Sequence, residues 1–217
     1  MPERPEAILF DADGTLYDSD HLHFEAYKQV ASDLYGFDFT WELFRDHLLR
    51  GNKKAPQVLQ DHGVDVNSEV FYKEKKRVYE YVAKEQLKPM PGLIEFLEWC
   101  HQVKIRRAIV SAATRASLSS SLAALRIQDS FEHIVSHEDI GNKRKPHPYP
   151  YLYGLGNLGI VASQAIAIED TAKGIASARG AGLYCVGIWN QANNASEELV
   201  DADYTIKDYR ELREHLE

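Results

Sequence analysis

Four carboxylates stand within ten residues in Phe10-Asp-Ala-Asp-Gly-Thr-Leu-Tyr-Asp-Ser-Asp20, directly after the apolar run Ala7-Ile-Leu-Phe10. Like charges this close repel one another, so the cluster calls for a cation. Two other readings compete. Asp beside Gly is common in solvated turns and Asx-turns. An EF-hand calcium loop would continue with Asp or Asn at position 15 and Gly at 16, where this chain has Thr15 and Leu16, so that reading fails. Three further places carry groups of the same kind. Ser111 ends the run Ala108-Ile-Val-Ser, although serines often end strands. Lys145-Pro146 stands in GNKRKPHPYPY, where a single Lys is normally surface charge. Glu169 and Asp170 follow Ile166-Ala-Ile, where acids would also suit a helix N-terminus.

The elements that position these residues follow from periodicity. Residues 7–10 read as a buried strand. Ser19 suits an N-cap, and Leu22, Ala26, Val30 and Leu34 recur at helical spacing until Gly36. Further helices are expected at about 41–49, 54–62 and 68–86, the last with a charged, solvated face. No strand-like run interrupts residues 19–87, and Lys88-Pro-Met-Pro-Gly92 closes this block, since two prolines cannot continue a helix. Beyond it, helices at 93–102, 115–125, 148–158 and 173–181 precede strands at 107–111, 133–136, 165–168 and 184–188. A short strand at 204–206 leads to a helix near 208–216. This alternation implies an α/β fold, a Rossmann-like and mostly parallel sheet with helices on both faces. Residues 1–18 and 88–217 are expected to form that core, with 19–87 an all-helical domain inserted after the first strand. Ligands of open parallel sheets bind beyond the carboxyl ends of the strands, where the Asp-rich stretch falls.

The pattern Asp-x-Asp-Gly-Thr-Leu after an apolar run resembles the nucleophile motif of the haloacid dehalogenase-like phosphohydrolase superfamily. The wider run through Asp18-Ser19-x-x-x-His23-x-x-Ala26 is similar to its branch holding β-phosphoglucomutase and many small-molecule phosphatases. Ser111, Lys145-Pro146 and Glu169-Asp170-Thr171-Ala-Lys-Gly174 fall in the order that family requires, each at an expected strand end or loop. The resemblance covers almost the whole chain and is weakest in the helical insert. It implies an aspartyl-phosphate on Asp11, with Asp13 as general acid and then base. It implies Mg²⁺ held by Asp11, the Asp13 carbonyl and Asp170, with Glu169 direct or through water. Lys145, Ser111 and backbone N–H groups such as that of Ala112 would hold the phosphate. The dehalogenases and phosphonoacetaldehyde hydrolases of the superfamily lack the second acid, so Asp13 argues against them.

The insert resembles the small helical cap of that family. Leu49-Arg50-Gly51-Asn52-Lys53-Lys54 is similar to its specificity loop, and Arg50, Lys53 and Lys54 would bind a second anionic group, unless they simply solvate a loop. His23 matches the family's histidine on the first cap helix. The expected activity is a Mg²⁺-dependent phosphatase of a small phosphorylated metabolite, with sugar phosphates as a candidate class. A β-phosphoglucomutase-like phosphotransferase is the alternative, and a partner-binding protein that retains the fold a third. The mutase loop reads Gly-x-Ser-Arg, whereas this chain has Gly51-Asn52-Lys53-Lys54, and Lys is the poorer bidentate phosphate clamp. The literal G-x-G-x-x-G at Gly154–Gly159 follows a helical segment rather than a strand, so its glycines are expected to end a helix, not to bind a dinucleotide.

The whole chain bounds these readings. Its 217 residues carry 33 acidic and 25 basic side chains, a formal charge of −8, which argues against general nucleic-acid or membrane-surface binding. No apolar run reaches the roughly 18 residues of a membrane span. The opening MPERPEAILFDADG has no basic n-region or long apolar core. Cys100 and Cys185, far apart in apolar surroundings, are expected as free buried thiols. A cytoplasmic monomer or small homo-oligomer is expected, and the sequon Asn194-Ala-Ser196 is taken as chance.

Overall fold

The computed structural model describes residues 4–49, 51, 53–190 and 195–217. Arg50 and Asn52 of the basic loop and Asn194 of the sequon lie outside the described residues. Among the described residues, six strands form one parallel sheet: β1 (Ala7–Phe10), β2 (Arg106–Val110), β3 (His133–Val135), β4 (Ala165–Glu169), β5 (Tyr184–Ile188) and β6 (Tyr204–Ile206). Their order is β3-β2-β1-β4-β5-β6. The central strands are apolar nearly throughout because both faces are covered. Successive side chains alternate faces. Ala7 and Leu9 join a core cluster with Ala108, Val110, Ala167 and Cys185, whereas Phe10 points the other way and meets Phe96 and Tyr209 edge-on or tilted. The order reverses between β1 and β4, so the carboxyl ends of these two neighbours flank the crevice where ligands of such sheets bind.

The chain divides into two compact units, one made of residues up to Asp18 with Lys88–Glu217, the other of Ser19–Leu87. The second holds α1 (Asp20–Tyr35), α2 (Trp41–Leu43), α3 (Ala55–Asp61) and α4 (Ser68–Gln86), packed around their own cluster, which includes Phe39, Leu59 and Phe71. The expected helix over 41–49 is instead the short α2, continued by a π-helical segment Phe44–Leu49. Ser19 holds the N-cap position of α1 without capping it. Its backbone is helical (φ −98°, ψ −16°), and a side-chain cap needs an extended residue there. The buried stripe of α1 also ends early. Steps of four residues drift about 40° around a helix, so Leu34 has rotated to 45% exposure and Ala31 is buried in its stead.

The first unit contributes α5 (Leu93–Gln102), α6 (Arg115–Leu125), α7 (His137–Ile140), α8 (Tyr149–Leu158), α9 (Ala172–Gly180), α10 (Ala195–Glu198) and α11 (Tyr209–Leu216). Residues of α8 and α9 cover the Leu9 face, and Phe96 and Trp99 of α5 with Tyr209 of α11 cover the Phe10 face. Of the three glycines expected to end α8, only Gly159 does so. Gly154 lies inside the helix, where a Cβ would stand 2.9 Å from Leu9 Cδ2 of the sheet. Cys100 and Cys185 are free and buried. No described helix is long and apolar enough to cross a membrane.

Candidate active site

The carboxyl ends of β1, β2 and β4 bring four of the sequence's candidate groups into contact. Asp11 follows β1 directly, and its backbone N–H donates to the Ile168 carbonyl of β4 at 2.9 Å. Glu169 ends β4, with Asp170 next. Lys145 comes from the loop before α8, through a cis peptide to Pro146. Its Nζ donates to Asp11 Oδ1 at 2.6 Å, to Glu169 Oε1 at 2.5 Å and to the Val110 carbonyl of β2 at 2.8 Å. One ammonium therefore uses its three donors on three strand ends. One carboxylate oxygen each from Asp11, Glu169 and Asp170 lies within 4.8 Å of the others.

The helix-cap reading of the two acids does not hold. Thr171 caps α9, its Oγ1 accepting from the Gly174 N–H at 3.2 Å, while Glu169 is fully buried. Glycines make room for both acids. A Cβ on Gly174 would stand 1.9 Å from Glu169 Oε2. One on Gly14, whose φ of +78° already favours glycine, would stand 2.1 Å from Asp170 Oδ2.

Burial dominates the electrostatics. It pushes the Asp11 carboxyl up. Lys145 pulls the other way, Glu169 and Asp13 add to the rise, and the net is about 8. Burial pulls the Lys145 ammonium down, but Asp11 and Glu169 outweigh it and hold the group above the ordinary lysine range. The described site holds more carboxylates than cations, and Glu169 Oε2 is buried without a hydrogen-bond partner. A hard divalent cation with oxygen ligands fits both facts.

Ser111 is buried just past β2, its Oγ accepting from the Ala113 N–H at 3.0 Å, while Ala112 is exposed. Asp13 is partly exposed, in a tight turn where the Gly14 N–H donates to the Tyr17 carbonyl at 2.8 Å. In the helical unit, His23 Nδ1 lies 2.6 Å from Lys75 Nζ and its ring stacks on Tyr79 at 4.2 Å. Lys is only a donor, so Nδ1 is the unprotonated nitrogen. Burial, then Lys75, lowers the imidazole to about 3. A cavity of about 280 Å³ within this unit is lined by Asp20, His23, Tyr27, Phe44, Lys54 and Tyr72 among others. Lys53, which also lines it, pairs with Asp61 at 2.8 Å.

Sequence reasoning missed two buried groups at the site. The Tyr151 O–H of α8 donates to Glu169 Oε1 at 2.7 Å. Asn190, just past β5, donates from Nδ2 to Asp170 Oδ2 at 3.0 Å and to the Gly14 carbonyl at 3.1 Å. Position after a strand was the one available hint for Asn190. Tyr151 stands among Tyr149 and Tyr153, and nothing local separates the three.

Comparison with known proteins identifies the family. Residues 8–188 match the family described as haloacid dehalogenase-like hydrolase. A phosphorylated carbohydrates phosphatase of Thermotoga maritima is 32% identical over 183 residues, 82% of this chain and 82% of that protein. Validoxylamine A 7'-phosphate phosphatase of Streptomyces hygroscopicus subsp. limoneus is 29% identical over 216 residues, 96% of each chain. The crystal structure of a CbbY point mutant from Rhodobacter sphaeroides with xylulose-(1,5)-bisphosphate shares the fold, with a TM-score of 0.81 at 24% identity over 96% of both chains. With the family match running from β1 to the end of β5, this chain belongs to the haloacid dehalogenase-like hydrolases.

Proposed function

We propose that the chain is a Mg²⁺-dependent phosphatase of small phosphorylated metabolites, sugar phosphates foremost, working through an aspartyl-phosphate on Asp11. One observation carries the reading: a single buried ammonium, Lys145, joins Asp11 to Glu169 at neighbouring strand ends, with Asp170 alongside. The two phosphatase relatives support the substrate class.

A phosphate monoester is an anion, and two like charges 4 Å apart repel by about 4 kcal/mol at a protein surface. Attack by Asp11 therefore needs local positive charge. Mg²⁺, held by Asp11, the Asp13 carbonyl and Asp170, with Glu169 direct or through water, would neutralise that repulsion and orient a phosphate oxygen. Lys145 keeps a fixed charge on Asp11 and the phosphate. Ser111 and the Ala112 N–H donate to the equatorial oxygens, where charge spreads during transfer. The Asp11 carboxylate attacks phosphorus, the bond to the leaving alcohol breaks, and Asp13 gives that oxygen its proton. Asp13 then takes a proton from water as the water oxygen attacks the aspartyl-phosphate, which frees inorganic phosphate and restores Asp11. Substrate choice is assigned to the helical unit, residues 19–87, acting as a cap. There His23, Lys53 and Lys54 line the cavity, and Arg50 belongs to the same basic stretch of sequence.

The test is phosphate release from a panel of sugar phosphates with and without Mg²⁺, for the wild type and Asp11→Asn. Release that needs Mg²⁺ and falls at least about 10³-fold in Asp11→Asn is expected. Undiminished turnover in that variant removes Asp11 as nucleophile. Interconversion of β-glucose 1-phosphate and glucose 6-phosphate without net release selects a phosphotransferase instead, and a stable protein complex without turnover selects a binding role.

A further inference from the structure

The Tyr151 phenol takes no part in the chemistry above, yet it ends on the site. Tyr151 is fully buried on α8. Its O–H and the Lys145 ammonium both donate to Glu169 Oε1, at 2.7 and 2.5 Å, and the ammonium lies 5.1 Å from the Tyr151 ring centroid. The other oxygen, Oε2, is buried and has no hydrogen-bond partner. Behind it, Gly174 leaves only the space the carboxyl fills.

This asymmetry has a physical consequence. The last torsion of a Glu side chain is broad and roughly two-fold, so an unconstrained carboxyl exchanges its two oxygens. Two donors on one oxygen end that exchange. The donors are not equivalent, however. Lys145 has three rotatable N–H donors on a flexible stem and can follow a carboxylate that turns. The Tyr151 hydroxyl is fixed by its packed ring and cannot.

We propose that Tyr151 is a positioning residue, whose phenol locks the Glu169 carboxyl in one orientation, as a ligand of a divalent cation shared with Asp11 and Asp170. The inference rests on the reading of this site as a cation centre. Groups that orient a metal ligand are worth about 10- to 100-fold in metal affinity.

The experiment titrates Mn²⁺ into the full-length wild type, Tyr151→Phe, Glu169→Gln and the double variant. Free ion is counted by electron paramagnetic resonance, and near-UV circular dichroism checks folding. Tyr151→Phe keeps the ring and its packing and removes only the donor. It should weaken Mn²⁺ binding by about 10- to 100-fold in the wild-type background and have no further effect beside Glu169→Gln. Unchanged affinity in the folded Phe variant overturns the proposal. So does an equal loss in the Glu169→Gln background, because Tyr151 would then act by another route. A folded wild type that takes up no Mn²⁺ overturns the cation reading itself, and this inference with it.

Discussion

Lys145, Asp11 and Glu169 meet with 10%, 13% and 1% of their side chains exposed. Taking ions out of water costs several kcal/mol each, and apolar residues of the same volume often stabilise a fold as well or better. One ammonium between two acids does not balance the charge either. The trio is therefore better explained by chemistry than by stability. The basic residues of the helical unit sort differently. Both lysines line the cavity, but Lys53 is engaged by Asp61, an exposed pair worth little to stability, whereas Lys54 has no ion-pair partner among the described residues. A charge-assisted hydrogen bond to a second anionic group on the substrate is worth about 1.5–3 kcal/mol. Lys54→Ala should thus raise KM for a sugar bisphosphate by about tenfold or more with kcat nearly unchanged, the mark of lost uniform binding. Lys53→Ala should change it less than about twofold. Steady-state kinetics on mono- and bisphosphates checks this, and a larger effect at Lys53 would reverse the assignment.

At the scale of elements, the turn from β4 into α9 carries the tightest constraint. Thr171 caps the helix, the Ala172 N–H donates to Glu198 Oε2 at 2.8 Å, and Gly174 faces the Glu169 carboxyl. Gly174→Ala would favour the helix by propensity, about 1 kcal/mol. Yet its Cβ would overlap a carboxyl already held by Lys145 and Tyr151. Expelling Glu169 should dominate, with phosphate release down at least about tenfold and stability down by about 1–3 kcal/mol. Assays and urea melts of the variant measure both, and an active, stabilised Gly174→Ala would show that Glu169 moves freely. The same turn shows what could be read from the chain alone. Glu169 and Asp170 were legible because an apolar run, two acids and a Thr fall in a fixed order, and strand ends announce themselves by where apolar runs stop. Gly174 was legible as part of that motif, but not its purpose, which is a contact across a turn. Tyr151 and Asn190 reach partners 18 and 20 residues away through the fold, and no local pattern encodes such a meeting. Ser19 and Leu34 misled for a related reason: residue type and spacing suggested a cap and a stripe that backbone angles and helical drift do not deliver.

Across the whole molecule, each compact unit has its own hydrophobic cluster, so a titration inside one unit shows as a loss of that unit's stability. His23 is such a group. Its folded-state value is about 3 against 6.5 for a free imidazole, through burial and then Lys75. The unfolded chain therefore binds a proton that the folded chain refuses at any pH between these values. Stability rises with pH wherever the unfolded state binds more protons. The His23 contribution is thus complete above about 6.5 and is lost steadily as pH falls toward 3, with a slope no steeper than about 1.4 kcal/mol per pH unit. His23 is partly exposed, which reduces the effect to about 1 kcal/mol between pH 7 and pH 5. The carboxylates of a chain with 33 acidic residues also respond to acid, so the wild type alone cannot isolate it. His23→Asn can, because the Asn oxygen stands where Nδ1 stands, still accepts from Lys75 and does not titrate. Urea unfolding of both proteins at pH 7 and pH 5, followed by helical circular dichroism, should show the wild type losing about 1 kcal/mol more than the variant. Equal losses would mean that His23 takes up its proton in the folded state and that the Lys75 contact opens to allow it.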